Sequence, residues 1–291
     1  MYNLLTHIRT LERPDFPRRL REITDPPKKL YCRGTLPSDD CHFLAVVGAR
    51  KHTPYGKEVC EKLVEGLRGQ NIVVISGLAL GIDGIAHRAA LKAGLKCLAV
   101  PGSGLSDTVL YPPANRELAK NILDDGGCLV SEFEPTFKAT PYSFPMRNRI
   151  MAGLSDAVLI VEAEQKSGTL ITSKLATGYN RDVLTVPGSI YSRGSEGPHM
   201  LLRLGATPIT RSEDILEALH IPLPTSEEKS EKRYRDCSPD ELRVIEILHT
   251  PTARNVLIER LHMNISQANI LLSVMELKGL IEESFGEMRL K

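Results

Sequence analysis

Between Phe43 and Ile209 the chain alternates short apolar runs with longer segments in which apolar residues recur every three or four positions. The short runs are FLAVVG, NIVVISG, KCLAVPG, GCLVSE, DAVLIVEA, DVLTVPG and ATPIT. Each is apolar at consecutive rather than alternate positions, as in strands covered by helices on both faces. That rhythm predicts a doubly wound α/β fold built on a mostly parallel sheet. The intervening segments YGKEVCEKLVEGLRG, GIAHRAALKAG, ANRELAKNILDD, NRIMAGL and LITSKLATGY carry the helical period.

The pattern changes at both ends. Residues 1–42, with DFPRRLREITDPPKKLYCRGTL, combine paired prolines with mixed charge and read as an N-terminal lead-in that docks on the 43–220 domain with little core of its own. Residues 221–237 are rich in Pro, Ser and both charges and read as a linker. From Ser238 to Lys291 the sequence predicts three helices and a hairpin: SPDELRVIEILHT, capped by its serine, then TARNVLIERLH, ISQANILLSVMELKG and LIEESFGEMRLK. This is the layout of a winged helix.

Composition narrows the class. With 291 residues and 42% apolar content the chain can build at least one full core. Its N-terminus is charged where a signal peptide needs an apolar stretch, and no run reaches the length of a membrane span, so a cytoplasmic address is expected. The six cysteines have no CxxC pair and no nearby histidine at zinc-ligand spacing, which argues against a zinc site and for thiols that fill the core. Lys plus Arg number 37 against 36 Asp plus Glu, so a polyanion must be held by a local patch.

Candidate chemistry lies in the turns after the strands: VVGARKHTPYG, ISGLALGIDG, VPGSGLSD and EQKSGTLIT. In an open parallel sheet, ligands bind beyond the carboxyl ends of the strands, where glycines permit close approach and helix N-termini attract anions. Neither common nucleotide fingerprint fits. A Walker loop needs Gly-Lys-Ser/Thr five residues after its first glycine, and a dinucleotide fold needs GxGxxG; the first turn here is GARKHTPYG. Arg50 and Lys51 follow the first strand, and Lys166 and Lys174 bracket the SGT turn, each a surface charge or a phosphate contact. Arg147 and Arg149 flank Asn148 at the predicted start of a helix, where the dipole disfavours cations. A negative partner is expected, with Glu132, Glu134 and Glu162 as candidates within the chain. Asp83 and His87 are spaced as an acid and base pair or as a tie between the GID turn and its helix. Phe144 is a stacking surface or a core residue.

In order along the chain, VVGARKHTPYG, SGLALGIDGIAHRAAL, GLSDTVLYPPAN, LVSEFEP, FPMRNRIMAGLSDAVLIVEA, SGTLITSKLA and VPGS resemble the signature blocks of the DprA/Smf family of DNA-processing proteins. The resemblance covers residues 15–210. It implies an extended Rossmann-like domain that binds single-stranded DNA, protects incoming strands during natural transformation and loads RecA onto them, as a homodimer and not as an enzyme. Carried over, Gly48 and Arg50 and the block Phe144, Arg147, Asn148 and Arg149 are expected at the DNA, the arginines on the sugar-phosphate backbone. Lys51, Gly77, Ser167, Gly168, Thr169 and Lys174 complete the expected DNA-binding set, with no catalytic residue, metal or cofactor.

The chain departs from the family in two ways. Many members carry a SAM-like helical domain before the DFPRRL segment, and only about fourteen residues precede it here, so functions lodged in that domain are expected to be missing. Residues 238–291 hold six basic and eight acidic residues, and ISQANILLSVMEL has no lysine or arginine, which favours a protein-contact or regulatory role over gripping a duplex. Arg289 and Lys291 on the wing keep DNA binding open. Two other readings stand beside strand binding. One is an enzyme of the phosphoribohydrolase type, although KSGTLITSK lacks the glycine pair and glutamate of the PGGxGTxxE signature; the other is a nucleotide sensor.

Overall fold

The consecutive apolar residues of the central strand serve two separate cores. In β3 (His42–Val47), Leu44 and Val46 pack on one face of the sheet, while Phe43, Ala45 and Val47 pack on the other. The next strand, β4 (Ile72–Ser76), divides in the same way, Ile72 and Val74 against Val73 and Ile75. A strand with a buried layer on each side has no polar face to alternate with, which is why the period of two is invisible in the sequence.

The computed structural model describes residues 7–223, 237–284 and 286–290, and the chain divides into two units after Leu223. The first unit holds a nine-stranded sheet of order β1-β2-β6-β5-β4-β3-β7-β8-β9. Its remaining strands are β1 (Ile8–Leu11), β2 (Leu30–Gly34), β5 (Lys96–Ala99), β6 (Cys128–Ser131), β7 (Ala157–Ile160), β8 (Asp182–Thr185) and β9 (Thr207–Pro208). From β6 across to β9 all neighbours are parallel, whereas β1 and β2 add antiparallel at one edge. Helices α1 (Arg18–Arg21), α2 (Pro54–Glu65), α3 (Ile82–Lys92), α4 (Arg116–Asp124), α5 (Ser143–Leu154), α6 (Thr169–Gly178), α7 (Glu196–Arg203) and α8 (Ser212–Ala218) connect the strands. The first core lies under α2, α3, α4 and α8, and the second under α1, α5, α6 and α7.

The N-terminal segment does more than dock. It supplies β1 and β2 to the sheet and buries Phe16, Leu20, Ile23 and Leu30 in the second core. Arg19 fastens it: its Nε donates to Asp156, its Nη atoms donate to the carbonyls of Asp39 and Cys41, and its guanidinium lies 4.9 Å from the Phe43 ring centre. Asp156 in turn accepts from the Phe43 amide at 2.8 Å.

The second unit has helices Pro239–Ile247, Arg254–Leu261 and Ile265–Leu277 and a three-stranded antiparallel sheet with Glu287–Leu290 in the middle. Its own core includes Val244, Leu257, Leu272, Met275 and Met288. Ser238 and Glu241 form the capping box that starts its first helix. Most of the segment read as a linker, residues 224–236, and Lys291 on the wing lie outside the described residues. Among the described residues no helix is long and apolar enough to cross a membrane.

Arg19→Ala removes the Asp156 and Phe43 contacts that join the N-terminal segment to the central sheet, and two carbonyl contacts within the segment. It is expected to lower stability by ~1–3 kcal/mol, read as a fall in the urea unfolding midpoint.

Candidate nucleic-acid interface

Strands β4, β5 and β6 extend the sheet to one side of β3, and β7, β8 and β9 extend it to the other. The loops leaving β3 and β7 therefore part at their carboxyl ends, the position at which doubly wound sheets open a crevice. A cavity of about 460 Å³ lies there, with Val47 at the end of β3 in its wall. Gly48, Arg50 and Lys51 enter from the loop after β3; Phe144, Arg147 and Asn148 enter from α5; and Lys166, Ser167, Gly168 and Thr169 enter from the turn before α6.

The turn before α6 is held by its own hydroxyls. Ser167 Oγ accepts from the Thr169 amide at 3.2 Å, and Thr169 Oγ1 donates to the Gly48 carbonyl at 3.3 Å, tying the turns after β7 and β3 together. Asn148 Nδ2 donates to the Gly168 carbonyl at 3.4 Å. The N-terminal turn of α6 thus faces the cavity, where the helix dipole favours an anion.

Helix α5 begins at Ser143, five residues before the NRIMAGL segment in which the sequence places it. Pro145 lies in the first turn, where its missing amide costs no helical hydrogen bond. Arg147 is consequently inside the helix rather than at its start, and the dipole argument for a nearby anion does not apply to it. Its guanidinium is 5% exposed and donates from Nη1 to the Val100 carbonyl at 2.7 Å, with Asp83 Oδ2 at 4.0 Å. Asp83 is also buried and accepts from the Gly77 amide at 3.1 Å. One arginine so joins α5 to the loops after β4 and β5. Burial lowers the Arg147 pKa to about 10, which leaves it charged at neutral pH, and burial raises that of Asp83 against the pull of Arg147.

Arg149 lies outside the cavity. It pairs with Glu132 beyond β6 and with Asp25 of the N-terminal segment, whose carboxylate also accepts from the Tyr179 hydroxyl at 2.6 Å. Of the three acids proposed as partners, Glu132 meets Arg149. Glu162 instead accepts from the amide and hydroxyl of Thr53, the N-cap of α2. Lys174 is exposed on α6 away from the lining, and Gly77 borders a smaller recess beside the cavity. Glu164, Ile171 and Thr172 also line the cavity, and only their proximity to Gly168 along the chain and helix marks them in the sequence.

One exposed charge of the cavity is Arg50. This exposed side chain lies over the Phe144 ring at 4.7 Å from its centre, a contact of ~0.5–1 kcal/mol. Such an arginine can leave the ring for a phosphate at small cost. His87 is fully buried and held neutral by burial, so Asp83 and His87 do not form an exposed acid and base pair.

The glycines have different reasons. A Cβ at Gly48 would strike Ile82, one at Gly77 would lie 1.4 Å from Arg147 Nη1, and one at Gly102 would strike Phe144, so these glycines let protein atoms pack. Gly168 has nothing within 4 Å of that position and borders the cavity, leaving room for a ligand against the start of α6.

A family model described as DNA recombination-mediator protein A matches residues 7–220. The chain belongs to that family. A second model, the DprA winged helix domain, matches residues 222–286. Protein Smf of Escherichia coli is 41% identical over 226 residues, 78% of this chain and 59% of that protein, so the match leaves a large part of the relative uncovered. DNA processing protein DprA of Streptococcus pneumoniae is 42% identical over 201 residues, 69% of this chain and 70% of that protein. Its X-ray structure matches with a TM-score of 0.68 at 39% identity, over 73% of this chain and 75% of that one. The Helicobacter pylori DNA processing protein A structure, which concerns a single-stranded DNA binding mode, matches with a TM-score of 0.66 at 32% identity, over 75% of this chain and 97% of that one.

Two stability outcomes follow. Gly77→Ala is expected to cost ~1–3 kcal/mol through overpacking, whereas Gly168→Ala stays within about 0.5 kcal/mol of the parent, as urea unfolding measures. The His87 pKa is lowered to about 4, from ~6.5 in an open chain. The unfolded chain therefore takes up a proton that the folded one refuses. Stability is intact above about pH 6.5 and declines by on the order of 3 kcal/mol towards pH ~4 from this group. A His87→Gln variant should flatten the urea midpoint across that window.

Proposed function

We propose that the chain holds single-stranded DNA along the cavity at the switch point of the sheet, without cleaving it. The observation that carries this reading is the meeting of cations, a helix N-terminus and a stackable ring in one cavity: Arg50, Lys51 and Lys166, the first turn of α6, and Phe144. Phosphates lie against the cations and the Ser167 to Thr169 turn, and bases lie towards the ring, an arrangement that tolerates any sequence. The Helicobacter pylori relative, described by its single-stranded DNA binding mode, supports the same ligand here. Arg147 and Asn148 hold the loops in place from below, Arg149 positions α5 from outside, and Lys174 extends the charge along α6.

Protection of incoming strands and loading of RecA onto them, by a cytoplasmic homodimer, complete the proposal on the strength of family membership. The 238–291 domain serves as a protein contact. Its third helix exposes Ile270, Val274 and Leu277 on one face, while Arg254 pairs with Glu276 and Glu283, and Arg289 with Glu282. The phosphoribohydrolase reading is the weaker one, because Thr172 stands three residues after Thr169 where that chemistry needs a glutamate.

Fluorescence anisotropy of a labelled poly-thymidine strand across a salt series tests the reading. Wild type is expected to bind the strand in preference to a matched duplex, and Arg50→Ala to bind roughly tenfold more weakly with a salt slope shallower by about 0.7. Arg149→Ala should lower the urea midpoint more than the affinity. Tighter binding of a mononucleotide than of the strand would overturn the proposal in favour of a nucleotide sensor.

A further inference from the structure

The helix Ile265–Leu277 of the winged-helix domain has two faces with opposite environments. Ala268, Leu272 and Met275 are buried in the domain's core. By helical spacing Ile270, Val274 and Leu277 lie on the opposite side, and they are 66%, 38% and 89% exposed. Ser266, Gln267 and Ser273 complete that outer face, all exposed and all uncharged.

The charge pattern narrows what the face can meet. From Ile265 to Met275 the helix has no charged residue. The charges at its C-terminal end are paired within the domain, Glu276 with Arg254 at 3.4 Å and Lys278 with Glu241 at 2.7 Å. A phosphate backbone or an anionic membrane is met by cations along the contact, and a charged peptide is met by the opposite sign. In an isologous pair the same patch lies on both sides, so a net charge on it would face itself and repel. A neutral apolar patch avoids this, and a second copy of the chain is the partner it matches.

The order of the side chains fits such a pair. Leu277 follows Ile270 by seven residues, two turns or ~10.5 Å of helix. When two copies lie antiparallel across a two-fold axis beside Ser273 and Val274, Ile270 faces the partner's Leu277 at both ends. The small Ser273 then leaves room for the partner's Val274.

We propose that this face is a homotypic contact, on which the winged-helix domain of a second copy docks antiparallel through Ile270, Val274 and Leu277. The contact rests on the protein-contact reading of this domain given above. A helix face ~20 Å long and ~10 Å wide falls well short of the ~800 Å² per partner that a stable interface buries. Pairing is therefore weak between free chains and effective where two chains are held side by side on one strand.

Sedimentation velocity of the full chain over a rising concentration series tests the contact, on wild type, Ile270→Glu, Leu277→Lys and an equimolar mixture of the two variants. Wild type is expected to associate further as concentration rises, and each variant to weaken that step by roughly tenfold. The mixture should regain it, because the introduced carboxylate and ammonium face each other in the mixed pair. Both sites are exposed, so the urea midpoints of the variants should match that of wild type. If wild type shows no such step, or both variants associate as wild type does, the homotypic contact is overturned and the protein-contact reading stands. Loss of the step in each variant without recovery in the mixture overturns the antiparallel pair. If Ile270→Glu leaves association unchanged and instead weakens binding of a DNA duplex, the protein-contact reading falls together with the homotypic contact.

Discussion

The buried Arg147 guanidinium is the constraint around which the site is arranged. Taking a charge out of water costs several kcal/mol unless its partners are fixed in place, and here they are the Val100 carbonyl and the Asp83 carboxylate. Asp83 carries the constraint on to the Gly77 amide. Three separate segments, α5 and the loops after β4 and β5, are thereby held at the edge of one cavity. Gly77 must lack a side chain because the guanidinium occupies that space.

Fixed and free charge are divided accordingly. Arg147, Arg149 and Arg19 are engaged with carboxylates or carbonyls and determine where the elements sit. Arg50, by contrast, is exposed and lies over an aromatic ring. A ligand phosphate needs cations that can turn towards it without breaking the fold, and these are the residues on the loops after β3 and before α6. The near-zero net charge of the chain is no obstacle, because the relevant field is local to one sheet edge.

The winged-helix unit follows a different logic. Three of its basic residues, Arg254, Lys278 and Arg289, are paired with glutamates, Arg243 and Arg260 are exposed, and its third helix presents an apolar stripe. The proposed protein contact rests on that exposed apolar stripe.

The sequence by itself determined the strands β3 to β9, the helices between them other than α7, and the cluster of glycine turns, because two-sided burial and helical periodicity are both local patterns. It did not reveal β1 and β2, since IRTL and LYCRG are short, carry arginines and gain their place only by pairing at the sheet edge. The early start of α5 was hidden by Pro145, which breaks a helix in its interior but not in its first turn. The separate fates of Arg147 and Arg149 were decided by tertiary structure alone. Two residues apart on a helix they point to nearly opposite sides, ~200° around the axis, and only the packing of α5 directs one beneath the cavity and the other to Glu132 and Asp25.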